Sequence, residues 1–141
     1  PNSVIRNYIE KLASNYKYVV IDNEAGMEHI SRRTNGSLDV LFLVSDPSMK
    51  GIRTCKKLED LVGELGLNIK KLYLILNRVS NGVPPQLMEE VEKLKLNLLG
   101  VIPEDKNIID CELRGIPMLN LEDNSISVIR LNEVMAKNLR I

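Results

Sequence analysis

Four short apolar runs punctuate the chain: Tyr18–Ile21, Leu38–Val44, Leu72–Leu76 and Leu98–Ile102. Short runs of this kind, bounded by turn residues, read as strands buried on both faces, as a parallel sheet requires. Between them the spacing changes to a helical period. Val4, Ile5, Tyr8, Ile9 and Leu12 predict a helix capped by Asn2 or Ser3 and running to about Asn15. Ile52, Cys55, Leu58, Val62 and Leu65 trace one face of a second, stopped by Gly66. Pro84-Pro85 opens a third, bearing Leu87, Met88, Val91 and Leu94. A fourth spans about Asn107 to Leu113, before Gly115-Ile116-Pro117, and a fifth about Ser125 to Leu139, with Val128, Leu131, Met135 and Leu139 on one side. Met27–Thr34 reads as a loop with a helical turn, and Asn35-Gly36-Ser37 as a turn.

Strands alternating with helices make βαβ units, and four of them predict an α/β fold with one mostly parallel sheet. Ligands of such sheets collect at the carboxyl ends of the strands. Here each end carries a hydrogen-bonding group: Asp22, Asp46, Asn77, and Glu104 with Asp105. Asp22 closes the first run, where a lone carboxylate is costly unless a cation or a donor answers it. An aspartate there can equally cap the next turn, and an asparagine at position 77 can do the same.

Composition narrows the partners. The 141 residues are 44% hydrophobic, enough for one domain with a real core. Lys plus Arg and Asp plus Glu balance at 19 each, so no global field draws in nucleic acid or an anionic membrane. No run is long enough to span a bilayer. Cys55 and Cys111 lie too far apart for a compact ligand pair and are too few for a disulfide framework, and a reducing cytoplasm is the expected compartment. Opening on Pro1 rather than Met, the chain reads as a processed or truncated piece.

Taken in order, these segments resemble the second half of the MinD/ParA-type ATPases, the P-loop branch with a deviant lysine-containing loop. Asp22-Asn23-Glu24-Ala25-Gly26 resembles that family's D-x-x-A-G switch, with Asp22 at the Walker-B position. Asn77-Arg78 resembles the asparagine and basic residue that read adenine, and Gly100-Val101-Ile102-Pro103-Glu104-Asp105 the G-x-I-P-x-D segment beside the base. The run Glu24–His29 followed by Arg32 is similar to the CooC-type accessory ATPases that help insert nickel into carbon monoxide dehydrogenase.

The resemblance implies ATP and Mg²⁺ as cofactors, with Asp22 holding magnesium through water and Gly26 bringing a backbone N–H to the γ-phosphate. Asp46, Asn77, Arg78, Pro103, Glu104 and Asp105 complete the expected nucleotide site. It also implies a nucleotide-dependent homodimer and, for the accessory branch, carbon monoxide dehydrogenase apo-enzyme as client. No G-x-x-x-x-G-K-[ST] occurs in the chain, and neither does the accessory family's C-x-C pair. Residues 1–141 therefore read as the C-terminal portion of one ATPase domain, a partial P-loop fold lacking its phosphate-loop unit and inactive alone. Nickel or zinc would bind only through cysteines upstream. Two alternatives stay open: a MinD-like regulatory ATPase and a complete, non-catalytic α/β binding module. His29, Arg32 and Arg33 are expected to be solvated, Cys55 and Cys111 to be small core residues, and Glu89-Glu90 an exposed helix face.

Overall fold

In the computed structural model, residues 11–12, 14–23 and 38–138 are described. Three parallel strands form one sheet in the order β1 (Leu38–Ser45), β2 (Ile69–Val79), β3 (Leu98–Pro103). The helices α1 (Met49–Glu64), α2 (Pro85–Lys93), α3 (Lys106–Arg114) and α4 (Ile126–Asn138) alternate with them and follow them, and a 3₁₀ turn at Met118–Asn120 precedes α4. The α/β architecture expected from the pattern is the one observed. Element ends follow local chemistry. Ser48 caps α1 by accepting the Gly51 amide at 3.0 Å, Pro85 occupies the first turn of α2, and Gly115 ends α3 in the left-handed conformation at φ +66°.

Successive residues of a strand point to opposite faces, and β2 divides the core accordingly. Leu74 and Leu76 meet Ile52 and Cys55 of α1 and Leu87 and Val91 of α2 on one face. Ile75 meets Ile102 and Val134 on the other, beneath α4. Gly100 sets how close α4 lies, since a Cβ there would fall 2.5 Å from Val134 Cγ2. Arg130 Nε donates to the Val101 carbonyl at 3.3 Å and so covers part of the β3 edge.

Three expectations need correction. The run Tyr18–Asp22 is not a strand: it pairs with none of the three strands, and Val20 is 92% exposed. Hydrophobicity alone does not make a strand; the run needs a neighbouring strand and two covering layers, and the described residues supply neither. Among the described residues of α4 the buried apolar one is Val134, with Met135 half-buried beside it, while Leu131 is exposed, because close approach at Gly100 turns the Val134 face to the sheet. Glu90 is buried rather than exposed, where Arg53 Nε reaches it across α1 and α2 at 2.7 Å. That hydrogen bond holds its carboxyl below the usual carboxylate range, against the cost of desolvation. Of the expected first helix, Lys11, Leu12, Ser14 and Asn15 are helical; its remainder lies outside the described residues, as do Gly26, His29, Arg32 and Arg33.

Candidate functional site

The parallel register aligns the carboxyl ends of the three strands. Ser45 of β1 stands opposite Leu76 of β2, and Val79 of β2 opposite Pro103 of β3. Asp46, Asn77-Arg78 and Pro103–Asp105 therefore share one rim. Asp22 is exposed in the irregular stretch before it and is joined to no strand.

Asn77 and Arg78 sit on a β-bulge. Between Leu76 and Val79 the ladder advances three residues on β2 but only two on β3. Simple alternation from Leu74 and Leu76 would turn Arg78 into the core. The extra residue shifts the phase, so Val79 is buried and Arg78 is exposed. Arg78 has φ +61°, a left-handed backbone that costs a side-chain-bearing residue roughly 1–2 kcal/mol. Backbone strain of this kind concentrates at functional positions. Asn77 is half-buried, and its Oδ1 accepts the Arg78 amide at 3.0 Å. Its amide nitrogen has no partner among the described residues and is available to a ligand.

The β3 loop is tied to the tip of β2. The Glu104 amide donates to the Val79 carbonyl at 3.2 Å, and Ser80 Oγ donates to Glu104 Oε2 at 2.7 Å. Beside this junction an open cleft of about 380 Å³ runs between Val79, Ser80 and Pro103 on the sheet side and Ile126, Ile129 and Arg130 of α4. Neither Asn77 nor Asp46 lines it.

Asp105 is only 5% exposed. It caps α3 through the Asn107 amide at 2.9 Å and accepts bonds from Ser125 and Ser127. Burial disfavours its charge, but the bonds from Ser125, Ser127 and Asn107 outweigh burial and hold the carboxyl down at about 2. It is a fixed anion with its oxygens already engaged.

Asp46 is exposed at the mouth of α1. Ser48 Oγ donates to its Oδ1 at 2.7 Å, and Ser45 Oγ to its carbonyl at 2.8 Å. Gly51 packs against this turn so closely that a Cβ would collide with Ser45 Oγ and Asp46 Oδ1. Cys55 is buried as expected of a core residue. Desolvation pushes its thiol up, a Ser45 hydrogen bond opposes this, and Asp46 adds to it, so Cys55 is no ready thiolate ligand. Cys111 is half-buried beside a cleft of about 270 Å³. Among the described residues no three His, Cys, Asp or Glu side chains are grouped to hold a metal ion.

Sequence reading missed Ser80, Ser125 and Ser127, which carry the polar contacts behind the rim. A Ser-x-Ser pair at a helix start was their only signal. The comparisons with known proteins bear on what such a rim does. The sequence profile of the CobQ/CobB/MinD/ParA nucleotide binding domain matches residues 4–118. The chain belongs to this family. An uncharacterized ATP-binding protein of Methanocaldococcus jannaschii is 37% identical over 136 residues, covering 96% of this chain and 54% of that protein. Septum site-determining protein MinD of Bacillus subtilis is 27% identical, over 91% of this chain and 49% of MinD. Carbon monoxide dehydrogenase accessory protein CooC of Rhodospirillum rubrum is 29% identical, over 85% and 45%. The CooC-type branch is therefore not nearer than the others: the M. jannaschii protein is more similar, and MinD is about as similar. The chain spans about half the length of the relatives it matches.

Solved structures of the family agree with the fold. A ParA family ATPase from Chlorobium tepidum superposes with a TM-score of 0.78 at 23% identity, over 99% of this chain and 57% of that one. MinD from Pyrococcus horikoshii, complexed with Mg-ADP, gives 0.75 at 25% identity, over 99% and 57%. Among the described residues no helix is long and apolar enough to cross a membrane.

Proposed function

We propose that this chain is the C-terminal portion of a MinD/ParA-type ATPase, and that its strand-end rim is the base-reading side of the ATP site. The observation that supports this best is Asn77: a half-buried amide on a strained bulge, with its nitrogen open to a ligand. An asparagine offers a donor and an acceptor side by side, the complement of adenine's acceptor and donor. The Pro103–Asp105 loop, bonded to the end of β2, supplies a wall for the ring. The M. jannaschii relative is named for ATP binding and the P. horikoshii MinD structure holds Mg-ADP, both in keeping with that chemistry.

Magnesium, when bound, neutralises phosphate charge in such sites. Asp22, exposed and free of any strand, is of the right type to hold it through water once the surrounding sheet is complete. Gly26, outside the described residues, keeps its proposed role beside the γ-phosphate. Asp46 lies farther along the rim, and its serine contacts make it a turn-former first. Asp105 serves through the loop it fixes rather than by direct contact.

The finer duty has two forms. Nickel insertion into carbon monoxide dehydrogenase is favoured by the Glu24–His29 run and the similarity to CooC, with metal bound by cysteines outside this chain. A MinD-like nucleotide switch, dimerising with ATP, is favoured equally by the similarity to MinD. Turnover separates the part from the whole. The full-length protein should hydrolyse ATP in a magnesium-dependent manner, with Asp22→Asn abolishing it, and the 141-residue chain should not, because positioning and electrostatic groups supply most of the rate. Turnover by the chain alone overturns this reading.

A further inference from the structure

Asp105 is held by more bonds than a helix cap requires. Its Oδ1 accepts the Asn107 amide, which is all that capping α3 needs. Its Oδ2 collects the Ser127 amide at 3.0 Å, the Ser127 hydroxyl at 2.9 Å and the Ser125 hydroxyl. Ser125 is wholly buried and Ser127 nearly so, and they lie 20 and 22 residues further along the chain, at the start of α4. The position of α4 is set in turn by the sheet, through Val134 against Gly100 and Arg130 on the Val101 carbonyl. The carboxylate thus pegs the β3–α3 loop to a helix that cannot shift independently. Without that peg, the loop's remaining ties to β2 are the long Glu104–Val79 bond and the exposed Ser80–Glu104 contact.

We propose that Ser125 and Ser127 are positioning residues for the nucleotide base: through Asp105 they hold the Pro103-Glu104 backbone at the spacing from Asn77 that the ring requires. The proposal rests on the base-reading role of Asn77 given above. Neither serine touches the nucleotide, so their effect must be confined to ligands that carry a base. Charge-assisted bonds to a buried carboxylate are among the stronger ones, and losing two loosens the loop without removing any phosphate contact.

The test titrates the full-length protein calorimetrically with ATP and, as a base-free probe, with tripolyphosphate. The variants are Ser125→Ala/Ser127→Ala, Asn77→Ala, and the three substitutions together, with the thermal midpoint of each recorded. The double serine variant should bind ATP about tenfold more weakly, bind tripolyphosphate as the parent does, and lose little further in the Asn77→Ala background. If it does not fold, Ser127→Ala alone, which keeps the backbone bond to Asp105, should show a loss of about threefold for ATP only. A lowered midpoint with unchanged ATP affinity overturns the proposal and leaves the serines a purely structural role. Equal losses for ATP and tripolyphosphate overturn it as well. Should Asn77→Ala bind ATP like the parent, the base-reading role itself fails; should it weaken ATP while the serine variants do not, only the latch fails.

Discussion

The two faces of the sheet are built to different standards. Under α1 and α2, nine buried residues among those described form one continuous cluster from Leu43 through Leu74 to Leu96. On the opposite face the buried set among the described residues is Ile75, Ile102 and Val134, with Phe42, Leu99 and Met135 half-buried around it. The second face thins out towards β1. Phe42 and Tyr73 stack there with ring centroids 6.3 Å apart, and Val44 is 59% exposed. The difference teaches where this chain is self-sufficient. The α1/α2 face closes with its own residues, while the β1 side of the other face presents apolar surface of the kind that partners or further chain cover. The site follows the same gradient. Its β2–β3 end is pinned by Ser80, Asp105 and the two serines, and its Asp22 end is attached to no strand.

The largest effect should come from Leu74→Ala. Leu74 is fully buried in the better-filled cluster, so its truncation should cost about 3–5 kcal/mol, read as a fall in the urea midpoint. Val134→Ala on the thinner face should cost less, about 1.5–2 kcal/mol, since fewer methyl groups leave and the site can relax. Equal costs would erase the contrast between the faces.

Acid sharpens the contrast at the site. The Asp105 carboxyl titrates at about 2 in the folded protein against an ordinary value of 3.8. A depressed folded value means its contribution, roughly 2 kcal/mol, is fully present above the unfolded value and is lost as pH falls from about 5 towards 2. Asp105→Asn should remove most of that stability at neutral pH and flatten the acid limb of a midpoint-against-pH curve. An unchanged acid limb would mean other carboxylates govern it. At the small end stands the Lys70–Asp39 pair, 2.7 Å apart but largely exposed on both sides. Asp39→Asn should leave the urea midpoint unmoved within error, since a solvated pair of this kind contributes little.

Much of this was legible in the sequence, for identifiable reasons. Periodicity located α1, α2 and the strands β1 to β3 because each has neighbours in this chain to bury against, whereas α3, which buries no residue fully, was bounded by Gly115-Ile116-Pro117. The same signal at Tyr18–Asp22 did not yield a strand, since hydrophobicity encodes the wish to be buried and not the presence of a partner. Asn77 was legible as a strand-end polar residue. The bulge beneath it was not, because a one-residue phase shift becomes visible only when both strands are aligned. Glu90 reads as exposed until Arg53 is seen to cross from α1. Ser125 and Ser127 resemble ordinary capping residues, and only their distance in sequence from Asp105 hides the network.

The central claim is that Asn77, half-buried on the bulge near the end of β2, reads the base of ATP. Titrating the full-length protein and its Asn77→Ala variant with ATP and GTP, with and without magnesium, tests it most directly. A site built on hydrogen bonds leaves polar atoms unpaired when one partner is removed, at a cost of roughly 1–3 kcal/mol. The account predicts a loss of about five- to a hundredfold in ATP affinity, present with or without magnesium, and a narrowed preference for ATP over GTP. ATP affinity equal to that of the parent would contradict it and leave Asn77 as a turn residue.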